Sequence, residues 1–108
     1  MALYMTQFSY TSEAWAALVK NPEDREAAVR ALAEKMGGQV QNLYFSFGEY
    51  DGVVLMEAPD ETTALAILLA AVTPGHLKAT KTTVLIPMKE TMAAMGKAAE
   101  VVYAAPGE

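Results

Sequence analysis

Residues 37–60 read GGQVQNLYFSFGEYDGVVLMEAPD. Two β-prone stretches lie in this segment, residues 39–47 and 52–57, and only Gly48-Glu49-Tyr50-Asp51 separates them. A connection this short joins antiparallel neighbours, so the pair is expected to form a hairpin. Helix signals flank the hairpin on both sides. Upstream, Val29, Leu32, Ala33 and Met36 recur at i, i+3, i+4 and i+7, which puts them on one helical face. Glu26, Arg30 and Glu34 lie four apart on a solvated face, with Glu26 preceding Arg30 in the favoured orientation. Gly37-Gly38 ends that helix, because glycine takes the left-handed C-cap without strain. Downstream, Asp60 is the N-cap of a helix that runs to about Val72 and stops before Pro74-Gly75.

Working outward, residues 2–10 are rich in aromatic and β-prone side chains and read as a first strand. Thr11 and Ser12 are cap candidates for a short helix carrying Trp15, Leu18 and Val19. Asn21-Pro22 interrupts it; Pro22 suits the first turn of the next helix, where Glu23 and Asp24 complement the macrodipole. Residues 76–86 mix threonine with apolar residues and read as a fourth strand. A last helix is expected over residues 88–104, with Met88, Met92, Met95, Ala99 and Val102 on one stripe and Gly96 as its weak point. The order βαββαβ plus a final helix is an α+β pattern of two βαβ halves sharing one antiparallel four-stranded sheet, the ferredoxin-like arrangement. It implies one domain over residues 1–108 with its core in about 2–86. Right-handed crossovers then put both main helices on one sheet face and leave the other bare.

Composition sharpens that consequence. Apolar residues make up 53% of the chain against a usual value of about 45–50%, and charged residues only 19%. Either register of the first strand, Tyr4-Thr6-Phe8-Tyr10 or Leu3-Met5-Gln7-Ser9, is at least half apolar or aromatic. So is either register of the second, Val40-Asn42-Tyr44-Ser46 or Gln41-Leu43-Phe45-Phe47. A bare face of this kind exceeds what soluble monomers usually expose, so the expected partner is a second copy of the chain. Residues 64–72 are nine apolar residues in a row, and a helix apolar on all sides needs cover on all sides, from the last helix or from another subunit. Eight basic against thirteen acidic residues give a net charge of -5, which disfavours nucleic acid. There is no cysteine, hence no thiolate metal site and no thiol nucleophile. No run approaches the roughly 20 apolar residues of a membrane span, so neither a membrane nor a location outside the cytoplasm is expected.

At the hairpin, Gly48-Glu49-Tyr50-Asp51 followed by Val53-Val54-Leu55-Met56-Glu57-Ala58-Pro59-Asp60 resembles the GYD domain family. Ala33-Glu34-Lys35-Met36-Gly37-Gly38, Lys81-Thr82-Thr83-Val84-Leu85, and the Asn21-Pro22 break followed by Arg25 are similar to it as well, so the resemblance covers about residues 3–86. It implies a largely bacterial family and a ferredoxin-like fold of the dimeric α/β-barrel kind, in which two sheets pack face to face. It implies no established activity.

Candidate site residues follow from chemistry. Asp51 and Tyr50 offer a carboxylate and a polar aromatic at the mouth of an inter-sheet cavity; alternatively Asp51 caps the turn through an Asx bond, with Gly48 and Gly52 supplying unusual backbone angles. The turn reading is the stronger, because a tight hairpin needs that chemistry anyway. His76, the only histidine, reads as a general base or metal ligand or else as a surface-loop residue after Pro74-Gly75; the loop reading is the stronger, since one imidazole makes no metal site without partners, and His76 is the best single candidate for proton transfer. Tyr44 and Asp51 complete the candidate catalytic set. Tyr4, Thr6, Tyr44, Ser46, Tyr50 and Lys81, with Thr83, are candidates to line a ligand pocket at the open sheet face, or equally to fill a dimer core. Alternation ties Tyr4 to Thr6, Tyr44 to Ser46 and Lys81 to Thr83, but ties no pair to another. Neither a metal nor a cofactor is expected, since no phosphate loop, nucleophile elbow or metal-ligand spacing occurs. These residues support a homo-oligomer that binds a small apolar or aromatic molecule. The alternatives are a cofactor-free isomerase or monooxygenase-like enzyme, and a module serving assembly only.

Overall fold

The computed structural model describes residues 1–107. Its elements run β1 (Ala2–Tyr10), α1 (Ser12–Lys20), α2 (Arg25–Lys35), β2 (Gln39–Phe45), β3 (Gly52–Ala58), α3 (Glu61–Val72), β4 (Leu77–Leu85) and α4 (Met88–Ala99). The strands form one antiparallel sheet in the order β2-β3-β1-β4, the ferredoxin-like arrangement. Short side chains start three of the four helices. Thr11 accepts from the Ala14 N–H, Asp24 from Ala27 and Asp60 from Thr63, each satisfying an orphan donor of the first turn. The Thr63 N–H holds the Asp60 carboxyl below the usual carboxylate range. Because Asp24 is the cap, α2 begins at Arg25, and Pro22 and Glu23 lie before the helix rather than in its first turn. Gly37 (φ 83°) and Gly75 (φ 90°) take the left-handed region where α2 and α3 give way to strands, which an L side chain would resist. The last two expected strand residues of β2, Ser46 and Phe47, are outside the ladder, and α4 stops at Ala99.

Strand alternation decides which side chains meet the helices. Tyr4, Thr6 and Phe8 of β1, Val54 and Met56 of β3, and Thr80 and Thr82 of β4 share the face covered by α2 and α3. Val40, Met56, Ala33 and Ile67 make one buried cluster there, and Tyr4, Ala58 and Ala64 another. Within β2 the register shifts between Val40 and Asn42, so Gln41 is an extra residue. The bulge returns Leu43, paired with Val54, to the helix side with Val40, and leaves Asn42 and Tyr44 on the open side. Each of the two β2 registers read from the sequence therefore holds for one half of the strand. Arg30 of α2 reaches this bulge: its guanidinium donates to the carbonyls of Val40 and Gln41 (2.5 and 3.2 Å) as well as to Glu26 (2.8 and 2.9 Å). The residue assigned by spacing to a solvated face thus also ties α2 to β2.

The opposite face, with Leu3, Met5, Val53, Leu55, Thr83 and Leu85, carries no helix among the described residues. The outer side of α3 is also uncovered: Leu65 and Leu69 are 55% and 53% exposed. The final helix does not supply the cover, for α4 buries none of its residues. No described helix is long and apolar enough to cross a membrane.

Candidate functional site

A cavity of about 370 Å³ lies between the helix-covered sheet face and helices α2 and α3. That volume falls in the range of small-molecule sites. Tyr4, Thr6, Phe8, Leu43, Val54 and Met56 form its floor, and Val29, Leu32, Leu68 and Ala71 contribute to its walls. The one hydroxyl pair on the floor is self-satisfied, since Thr6 and Thr82 bond each other across β1 and β4 at 2.8 Å. The body of the cavity is thus mostly apolar, with Tyr4 and Thr80 as its further hydroxyl-bearing side chains, and its charged groups sit at the ends. Arg25, Tyr10 and His76 line one end and Glu61 belongs to the other, at the start of α3.

The Arg25 end is built on aromatic packing. Phe8, Tyr10, Trp15 and Phe45 meet edge to face, with centroids 5.2–6.1 Å apart and interplanar angles of 65–90°. Tyr10 also lies against the His76 ring, 5.9 Å away and tilted by 32°. Burial raises the Tyr10 phenol above its usual pKa, while the neighbouring Arg25 guanidinium opposes the shift. Arg25 itself is held more firmly charged, first by its bond to Glu23 at 2.6 Å. Burial, and secondarily the Arg25 charge, lowers the His76 pKa below the ordinary 6.5. Unfolded chains therefore take up a proton at His76 before the native chain does, so stability rises with pH across that window. Urea denaturation should show stability falling as the pH drops below about 6.5. His76→Gln should remove this component of the slope, and an unchanged slope in the variant would refute the assignment.

The sequence-derived site residues are divided between places. Tyr4 and Thr6 line the cavity on the covered face. Tyr44 and Lys81 lie on the open face with Thr83, as their pairing with Val53, Gln7 and Met5 requires. Ser46 donates to the Tyr50 carbonyl within the hairpin connection. His76 lines the cavity, so of the candidate catalytic residues His76 alone meets it; Tyr44 and Asp51 do not. Asp51 neither caps its own turn nor faces a cavity. One carboxylate oxygen accepts from the backbone N–H of Tyr10 (2.9 Å) and from Trp15 Nε1 (3.0 Å), pinning the hairpin to the end of β1 and to α1. Among the described residues no cluster of three potential metal-ligating His or carboxylate side chains occurs. Arg25, Tyr10, Leu43 and Val54 were not singled out for a pocket by the sequence. Arg25 was readable only as part of a charged helix start, because nothing local shows that α2 and β4 bring it to His76.

Two solved structures resemble the chain in fold. MtbAldR aligns at 18% identity and TM-score 0.54, covering 80% of this chain and 53% of that one, so the chain spans about half its length. TTHA0845 from Thermus thermophilus aligns at 18% identity and TM-score 0.51, over 81% of this chain and 95% of that one. No curated protein matches the sequence. The model of the GYD domain matches residues 4–95, which span the sheet apart from the first two residues of β1, helices α1–α3 and most of α4. The chain belongs to the GYD domain family.

Proposed function

We propose that this protein binds a small, mostly apolar molecule in the cavity between its sheet and helices, and that it does so as a homo-oligomer. The observation that carries the binding reading is the cavity itself, about 370 Å³ and mostly apolar, with hydroxyls on its floor and its charged groups at its ends. The sequence reading placed such a ligand at the open sheet face; the cavity on the helix-covered face supports the same chemistry from the other side of the sheet. Binding is favoured over turnover because, of the candidate catalytic residues, His76 alone reaches the cavity, and the carboxylate that also lines it, Glu61, lies at the opposite end. It is favoured over a purely structural role because an assembly module has no use for unfilled apolar space.

A small-molecule library tested by thermal shift and native mass spectrometry checks this. A ligand at 100 times its Kd adds about 2.7 kcal/mol, a rise of roughly 10 °C for a domain of this size. Ala71→Phe, which places a ring in the cavity, should abolish the rise while leaving the unliganded Tm within a few degrees. Failure of every apolar compound to bind would sink the proposal.

Self-association rests on the open face. Met5 and Leu55 are paired neighbours at its centre and only partly buried, and Tyr44 is 57% exposed beside them. Covering these side chains with a second copy removes apolar surface that water otherwise contacts. Sedimentation should show an oligomer that Leu55→Lys converts to monomer, since a lysine there buries a charge against the partner. A wild-type monomer at micromolar concentration would remove this half of the proposal.

A further inference from the structure

Arg25, His76 and Tyr10 come from α2, the α3–β4 connection and the end of β1, yet they converge on one end of the cavity. The same three residues, with Pro74, also line an outer groove along α1 that contains Lys20 and Glu23. They therefore stand where the apolar cavity meets the surface. We infer that this end recognises the carboxylate of an amphipathic acid whose apolar body fills the cavity, an inference that rests on the binding reading above.

The donor chemistry supports an acceptor head. Guanidinium carries five N–H donors and no acceptor; the bond to Glu23 engages one of its nitrogens and the Tyr10 oxygen is a second partner, which leaves N–H groups over for a ligand. Its planar fork matches a carboxylate bidentately, which an ammonium does not. His76 has its pKa lowered, so at neutral pH it is an uncharged imidazole with one N–H to donate. The Tyr10 phenol remains protonated and adds a third donor. Charge orients the ligand as well. Glu61 stands at the far end and repels a carboxylate, whereas at the near end Arg25 and Lys20 stand against Glu23 and against Asp51, whose carboxylate is already taken up by the Tyr10 N–H and Trp15 Nε1. Glu23 is the competitor, but it holds Arg25 from the exposed side (52% exposed against 27% for Arg25) and through one nitrogen, so a ligand carboxylate arriving from the cavity side meets the N–H groups that Glu23 does not engage.

Calorimetric titration with phenylbutyrate and with phenylbutanol, which share an apolar body and differ in the head, separates the two levels of the claim. The acid is expected to bind at least tenfold more tightly, with an affinity that falls as salt rises while that of the alcohol holds steady. Arg25→Gln should bring the two affinities together, and Ala71→Phe should remove both. Equal binding of acid and alcohol to the wild type, or an acid preference that survives Arg25→Gln and is insensitive to salt, overturns the carboxylate assignment and leaves the cavity reading standing. Absence of binding by either compound and by every member of the apolar library overturns both.

Discussion

Replacing Asp51 by alanine is expected to destabilise the fold by about 3 kcal/mol, because two donors lose a shared ionised acceptor. The donors are the Tyr10 backbone N–H and Trp15 Nε1, and both bonds are partly buried. The effect is larger than for a turn residue because Asp51 joins three parts of the chain. Its carbonyl accepts from the Ser46 N–H and its own N–H donates to the Phe8 carbonyl, so the backbone is already anchored at β1. The carboxylate then extends that anchor to α1 through Trp15. A loss of this size lowers Tm by roughly 10 °C or more. Asp51→Asn keeps an acceptor of the same shape without the charge and should cost about half as much. Trp15 is the only tryptophan, so its fluorescence reports the site directly. In Asp51→Ala its emission should shift to the red as the indole loses its partner. A variant as stable as the wild type with unshifted emission would show that the carboxylate is dispensable.

Gly52→Ala is the second substitution with a large expected effect, about 2 kcal/mol. Gly52 is buried, and its φ is not positive, so conformational freedom is not the reason for a glycine. The reason is space. A Cβ built there comes within 2.9 Å of both Phe8 Cε atoms and closer still to Cζ. Phe8 pairs with Gly52 across the β1–β3 ladder, and its ring crosses over the glycine. The ring cannot withdraw freely, because it packs edge to face against Tyr10 and Phe45. Phe8→Leu shortens the obstructing group, so the double variant Phe8→Leu with Gly52→Ala should be more stable than the sum of the two single losses allows. Strict additivity in that cycle would show that the ring is not the obstacle.

Both residues stand in the hairpin segment from which the fold was read, and they show where local reasoning stops. The short GEYD connection, the cap residues Thr11, Asp24 and Asp60, and the apolar spacing of α2 are determined over a few residues, so they were legible. The roles inside the hairpin were not. A turn rich in Gly, Asp and Tyr has an adequate local explanation, an Asx cap and glycine backbone angles. The observed roles instead depend on partners 36 to 44 positions away in sequence, Trp15 and Tyr10 for Asp51 and Phe8 for Gly52. The sheet register behaves in the same way. Alternation links Tyr4 with Thr6 and Lys81 with Thr83, but their opposite sides are settled only by cross-strand pairing.

By itself, then, the amino-acid sequence determined the order of elements, the antiparallel hairpin, the ferredoxin-like topology and the family, because periodicity, caps and turn residues act over short range. Only the tertiary structure decided which face of the sheet holds a cavity. That choice turns on the bulge at Gln41 and on the placement of α2 and α3 over Tyr4, Thr6 and Phe8. The physical reason is that an inserted strand residue flips every later side chain to the other face. What stabilises the insertion is Arg30 on a neighbouring helix, whose bonds to the Val40 and Gln41 carbonyls exist only after α2 has docked. The meeting of Arg25 and His76 at the cavity end has the same origin, in two segments brought together by the packing of α2 and α3 on one sheet.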